Sequence, residues 1–165
     1  MAGTSIFSYD AFISYTHRSS IDWKISRWLS RKISRFVIPS KYRKRDIDGK
    51  PIKRFRVFRD SEDISGGKLT DTLKEKINKS ENLILIASQS LKGTEWVERE
   101  VDEFLNRAGE DTTGPADGTI FPVLVDGINT DDSFPDSFNR VKNKNHYLIL
   151  SVVSPRLSES LSRGA

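Results

Sequence analysis

Tyr9-Asp10-Ala11-Phe12-Ile13-Ser14-Tyr15 is a nearly continuous apolar and aromatic run near the amino terminus. A strand with apolar residues on both sides is buried on both faces, as in a parallel sheet clothed by helices. Leu83 to Ala87 (LILIA) has the same character and predicts a second, central strand of that kind. The chain between and beyond these runs alternates. Ser19 or Ser20 is placed to cap a helix in which Ile21, Ile25, Trp28, Leu29, Ile33 and Phe36 recur at helical spacing between Arg and Lys. Pro39 is expected to close it. Residues 39–53 read as a basic loop with a turn at Asp48-Gly49, and Phe55 to Phe58 as a short second strand.

Arg59 to Lys68 (RDSEDISGGK) reads as a loop, with Gly66 and Gly67 permitting backbone conformations that other residues avoid. Leu69 to Asn78 predicts a helix through Leu69, Leu73 and Ile77. Thr94 to Arg107 predicts another, with Trp96, Val97, Val101, Phe104 and Leu105 as its apolar set. Thr94 is its expected N-cap, and Glu95 and Glu98 suit the positive end of the helix dipole. Residues 109–118 form a Gly/Asp/Thr-rich loop. Ile120 to Val125 and Tyr147 to Val153 are the remaining strands, and residues 154–165 a tail, either a short helix or a linker. Four or five strands separated by amphipathic helices predict an α/β fold with a parallel sheet covered on both faces. Ligands of such sheets bind beyond the carboxyl ends of the strands, here near Tyr15, Arg59, Ser88 and Asp126.

The 165 residues suit a single domain, with 36% hydrophobic and 30% charged residues. The longest apolar run is too short to span a bilayer, and no basic stretch followed by an apolar one opens the chain, so neither a membrane span nor a signal peptide is expected. The absence of cysteine excludes disulfides and thiolate chemistry and fits a reducing, cytoplasmic setting. His17 and His146 are the only histidines, which excludes a multi-histidine metal site. The net charge of +4 is unevenly spread: Arg27 to Arg59 holds thirteen Lys or Arg against Asp46 and Asp48. Such a band reads either as a solvated helix face plus loop or as a surface for an anionic partner.

Trp96 and Glu100 are four apart and share one helix face, with Glu100 beside the buried stripe. An indole next to a carboxylate offers a stacking surface and a negative charge, which suits a cationic aromatic ring such as nicotinamide. On spacing alone, a helix tryptophan is ordinarily core and a glutamate ordinarily surface. Other templates fail: no GxGxxG follows the first strand, and there is no Walker lysine motif and no GxSxG elbow. Asp60, Glu62 and Asp63 read as a solvated acidic turn, with only weak support for a divalent ion.

Four blocks in order then resemble the Toll/interleukin-1 receptor (TIR) domain family: YDAFISY from Tyr9, VFRDSEDISGGKL from Val57, LILIASQS followed by EWVEREV, and FPVLVDG from Phe121. The resemblance spans roughly residues 6–150. It implies a flavodoxin-like three-layer fold with about five parallel strands, one TIR domain over 1–165 and a core of about 6–153. Gly66-Gly67, where receptor-type members carry Pro-Gly, is similar to the NAD⁺-cleaving branch. That branch implies Glu100 as the catalytic carboxylate and Trp96 beside nicotinamide. Phe58, closing the second strand, and Tyr15, Thr16, His17, Arg18 and Ser88 are implied as NAD⁺ contacts, with Arg59 or Lys68 meeting the phosphates. Family members often carry arginines where Thr16 and His17 stand. NAD⁺ is substrate on this reading, with no cofactor and no metal. Self-association through the Arg59 to Lys68 loop, a sensor domain or partner protein, and an immune, antiviral effector role are likewise implied. The basic insertion, about Ile38 to Arg54, departs from the pattern and is expected to contact a neighbouring subunit. A non-enzymatic TIR–TIR scaffold is the alternative. Nucleic acid is disfavoured, because only Tyr42 and Phe55 offer stacking near the basic loop.

Overall fold

The computed structural model describes residues 4–60, 70–91, 93–106, 119–125 and 150–151. In chain order the elements are β1 (Tyr9–Ser14), α1 (Ser20–Arg35), β2 (Val57–Arg59), α2 (Asp71–Asn78), β3 (Ser80–Ala87), α3 (Glu95–Asn106), β4 (Ile120–Leu124) and β5 (Leu150–Ser151). All five strands are parallel, in the order β2-β1-β3-β4-β5. The chain leaves β1 towards β2 and returns to the other side of β1 as β3. The order therefore reverses between the carboxyl ends of β1 and β3, the switch point where open α/β sheets form their ligand crevice. Among the described residues, no helix is long and apolar enough to cross a membrane.

Alternation along the strands makes two cores. Phe12, Leu83, Leu85, Ala87 and Ile120 face α2 and α3, where they meet Leu73, Ile77, Val97, Val101 and Phe104. Ala11, Ile13, Tyr15, Ile84, Ile86 and Val123 face α1, where they meet Ile25, Leu29 and Ile33. The apolar run of β1 thus serves both cores, which is why it does not alternate with polar residues.

Ser19 caps α1 as expected, while α2 begins at Asp71 rather than Leu69. Ser19 Oγ accepts from the Asp22 amide at 3.2 Å and donates to the Asp22 carboxylate at 3.1 Å, a reciprocal cap on α1. Thr70 caps α2 by accepting from the Leu73 amide at 3.2 Å. Thr94 precedes α3, but its hydroxyl turns back to donate to the Ser90 carbonyl.

The insertion differs from the loop that its composition suggests. The α1 helix stops at Arg35 rather than at Pro39, because Phe36 turns extended and brings Val37 into a bridge with Arg54. Phe36 consequently falls off the buried stripe, is 56% exposed and stacks on Phe55, and Ile21, in the first turn of α1, is exposed as well. Residues 38–54 fold into an arm: the Ile38 amide donates to the Lys53 carbonyl, Ile52 to Lys44 and Asp46 to Lys50. A short 3₁₀ turn lies at Ser40–Tyr42. The arm reverses at Gly49, whose φ of 78° is the left-handed conformation that glycine tolerates best. Ile38 and Ile52 are buried beneath it. β2 therefore starts at Val57, two residues later than expected, and β3 gains Ser80 to Asn82 at its start. Lys68, Gly66, Gly67, Leu69, the 109–118 loop, most of Tyr147–Val153 and the 154–165 tail lie outside the described residues.

Candidate active site

The carboxyl end of β1 brings a small hydroxyl, Ser14, to the switch point on the α2/α3 face. Val97, Val101 and Phe104 anchor α3 on that face and turn Glu100 inward with them. Glu100 is only 1% exposed, rather than at the margin of the buried stripe. Its Oε2 accepts from Ser14 Oγ at 2.5 Å, and its Oε1 accepts from the Trp96 indole nitrogen at 2.8 Å. The i, i+4 pair is thus joined edge-on by a hydrogen bond, and the indole packs on the core.

Burial pushes the Glu100 carboxyl up to about 8, with the negative charge of Asp60 adding to the rise and the bonds from Ser14 and Trp96 opposing it. At neutral pH the group is predominantly a neutral acid. Strongly raised carboxyls at a switch point are candidates for chemistry, because their ionisation is set by a few neighbours.

One of them, Asp60, follows β2 and also meets Tyr15, which belongs to the core on the other face. Tyr15, the residue after β1, is buried; its hydroxyl donates to the Asp60 carbonyl at 2.7 Å and accepts from Arg59 Nη1 at 3.0 Å. Burial raises the Tyr15 hydroxyl above its usual range, the Arg59 charge opposes this, and Asp60 adds to it. The Arg59 guanidinium lies 5.8 Å from the Tyr15 ring centre, and His17 stacks on that ring at 4.6 Å. Asp60, at the exit of β2, is therefore the charge that acts on both Tyr15 and Glu100. Sequence reasoning had taken it for part of a solvated turn, yet it is buried.

The other expected contacts divide. Thr16 is buried, and its Oγ1 accepts from the Arg18 amide at 3.2 Å, while Arg18 is exposed. Ser88 closes β3 and donates to Asp22 Oδ2 at 2.6 Å. It ties the start of α1 to the switch point, so its hydroxyl is engaged by protein. Phe58 does not close β2, which ends at Arg59; its ring stacks on Phe12 at 5.6 Å and leans on Tyr9 at 5.5 Å. Its half-buried ring packs against the core on the face of Glu100, two positions deeper than Ser14. Lys68 lies outside the described residues. Ser14 and Asp22 were missed: the first was hidden inside a strand motif, whereas Ser19-x-x-Asp22 carried a readable cap signature. Among the described residues, no group of three or more His, Asp or Glu side chains could hold a metal ion.

The five-stranded parallel sheet flanked by helices agrees with the flavodoxin-like α/β fold that the sequence motifs implied. The profile of the TIR domain family matches residues 52–152, more than half of the chain. The chain belongs to the TIR domain family. Its fold is also similar to the TIR domains in the structure of the activated Roq1 resistosome directly recognizing the pathogen effector XopQ. There the TM-score is 0.50 at 13% identity, covering 94% of this chain and 78% of that one. At that identity the likeness concerns the fold alone. No functionally curated protein matches the sequence.

Proposed function

We propose that this TIR domain cleaves NAD⁺ between nicotinamide and ribose, with Glu100 as the carboxylate. The observation that carries the reading is a buried carboxyl at the β1/β3 switch point, held by Ser14 and the Trp96 indole. Nicotinamide departs as a neutral molecule, taking the electron pair of the C1′–N bond, so the enzyme need not protonate it. The ribosyl group left behind develops oxocarbenium character, which an ionised Glu100 stabilises as carboxylates do in glycoside cleavage. Water adding at C1′ and losing its proton gives ADP-ribose. Addition of a nucleophile within the substrate gives a cyclic isomer.

The geometry described is a closed one: Trp96 and Ser14 occupy both oxygens of Glu100, and the group is mostly protonated at neutral pH. Opening requires Trp96 to release Oε1, which frees the indole face for the departing ring. Arg59 and Asp60 grip Tyr15 at the base of the loop through which self-association is expected. A rearrangement of that loop moves the Asp60 charge that adds to burial in keeping Glu100 protonated, and so couples assembly to ionisation. The domain then acts as an immune effector that consumes NAD⁺ once assembled. The near-complete burial of Glu100 favours the second reading, a scaffold that signals only through contacts between copies. Chromatography of NAD⁺ incubated with concentrated or assembled protein separates the two. Nicotinamide released in step with ADP-ribose or a cyclic isomer supports the enzyme, and intact NAD⁺ with assembled protein supports the scaffold.

A further inference from the structure

The basic arm does not lie flush on the sheet. It leaves a cleft of about 350 Å³ against the amino-terminal half of the strands, on the α1 face. Ala11, Ile84 and Phe121 form its floor, and Ile38, Ile52 and Phe55 its opposite wall. Ala11, Ile38, Ile52 and Ile84 each keep 7–8% exposure, while Ile13 and Ile86, one step further along the same face, have none. The floor therefore keeps a small accessible apolar area facing the cleft. Protein interiors are packed without voids of this size, and clefts of about 300–1,000 Å³ with apolar walls and few polar groups are the usual form of small-molecule sites. Ala11 and Ile84 lie three residues before the carboxyl ends of their strands, so the cleft is about 10 Å from the switch point and on the other face from Glu100.

The charges at the cleft select among ligands. Its two acids are neutralised within the protein: Asp10 pairs with Arg56 at 3.1 Å, and Glu81 with Lys44 at 2.5 Å. Asn82 is likewise engaged, with the Asp10 carbonyl and the Thr119 amide. The arm over the cleft carries seven Lys or Arg between residues 38 and 54 against Asp46 and Asp48. Lys41 sits over the exposed Tyr42 ring at the rim, 4.7 Å from its centre. Lys44 is thus the cation that lines the cleft, and the interior is hydrocarbon-like.

We propose that this cleft binds a soluble single-chain acidic amphiphile, with a hydrocarbon body between the sheet and the arm and one carboxylate at Lys44. The ligand carboxylate exchanges with Glu81 as the partner of the Lys44 ammonium. Because the arm forms one wall, occupancy braces it against the sheet. Nothing in this inference depends on NAD⁺ turnover.

The test is a titration of the isotope-labelled protein with decanoate, followed by NMR, with decanol as the uncharged comparison. Saturable shifts centred on Ala11, Ile38, Ile52 and Phe55 are expected, with decanol about three- to tenfold weaker, as for a partly solvated charge-assisted contact. Lys44→Met is expected to remove that preference while leaving decanol binding unchanged. Ala11→Leu, and Val57→Phe as a second filled variant, are expected to abolish binding of both probes. No saturable shifts with decanoate, shifts centred elsewhere, or decanoate binding that survives in a folded filled variant would overturn the proposal. Should neither filled variant fold, the shift map and the decanoate-to-decanol ratio on the wild-type chain decide it.

Discussion

Glu100→Gln converts a carboxyl that is mostly protonated at neutral pH in the closed state into a group that is neutral at every pH. The Gln side chain keeps the shape of the protonated acid: its oxygen accepts from the Trp96 indole and its amide donates to Ser14 Oγ. The cost it removes follows from the shift of Glu100 from 4.5 to about 8. Below about pH 4.5 the folded and unfolded chains both hold the proton, and the residue is indifferent to pH. As pH rises from there towards about 8, the unfolded chain ionises while the folded one keeps its proton, so stability falls; above about 8 the loss levels off. At pH 7 the span is about 2.5 pH units, which at 1.36 kcal/mol each amounts to about 3 kcal/mol. Glu100→Gln should therefore gain on the wild type by about 1.4 kcal/mol per pH unit between roughly pH 5 and 8. Urea unfolding followed by far-ultraviolet circular dichroism across that range measures the difference, in which all other titrating groups cancel. A difference that does not change with pH, or a variant that becomes relatively less stable as pH rises, would refute the assignment of a protonated Glu100 in the closed state.

Asp60→Asn removes the charge that raises Glu100, so the carboxyl should ionise at lower pH; ¹³C-carboxyl NMR reads the midpoint, and an unmoved midpoint contradicts the coupling. Ser88→Ala takes the donor from buried Asp22 Oδ2 and should cost about 1–3 kcal/mol in urea unfolding. A loss no larger than that of an exposed serine would show that the link between α1 and β3 carries little. Gly49→Ala places a side chain at a φ of 78° and should cost about 1 kcal/mol, detectable as a lower melting temperature. An unchanged melting temperature would mean that the arm turns without strain.

The reach of the sequence can be judged from particular residues. The non-alternating run at Tyr9 to Tyr15 announced a strand buried on both faces, and the cap at Ser19 is a local signal written in adjacent residues. The motif order also led to Glu100 and Trp96. What escaped was long-range. No spacing rule says that Trp96 bonds Glu100 edge-on, since that depends on where α3 rests against β1. Ser14 is 86 residues from Glu100, and their bond exists only because β1 and α3 meet. Asp60 looked solvated because its neighbours are polar, yet it follows directly on β2, which pairs with β1, and is itself buried. Phe58 was expected at a ligand because it stands at a motif's end; the register that pairs it with Phe12 packs its half-buried ring against the core. The arm was misread for a similar reason: its many cations suggested solvent, while the pairing of Val37 with Arg54 and the burial of Ile38 and Ile52 require distant partners.

The central claim is that the Glu100 carboxylate performs NAD⁺ cleavage rather than merely filling the switch point. Glu100→Gln tests it most directly, because that variant is expected to fold at least as stably as the wild type. Nicotinamide release should be compared for the two proteins, each concentrated to the same degree and assembled. The account predicts turnover by the wild type that rises with pH as Glu100 ionises, and turnover lost from the folded, assembled Gln variant. Equal turnover by both proteins, or none by assembled wild type at any pH, would contradict it.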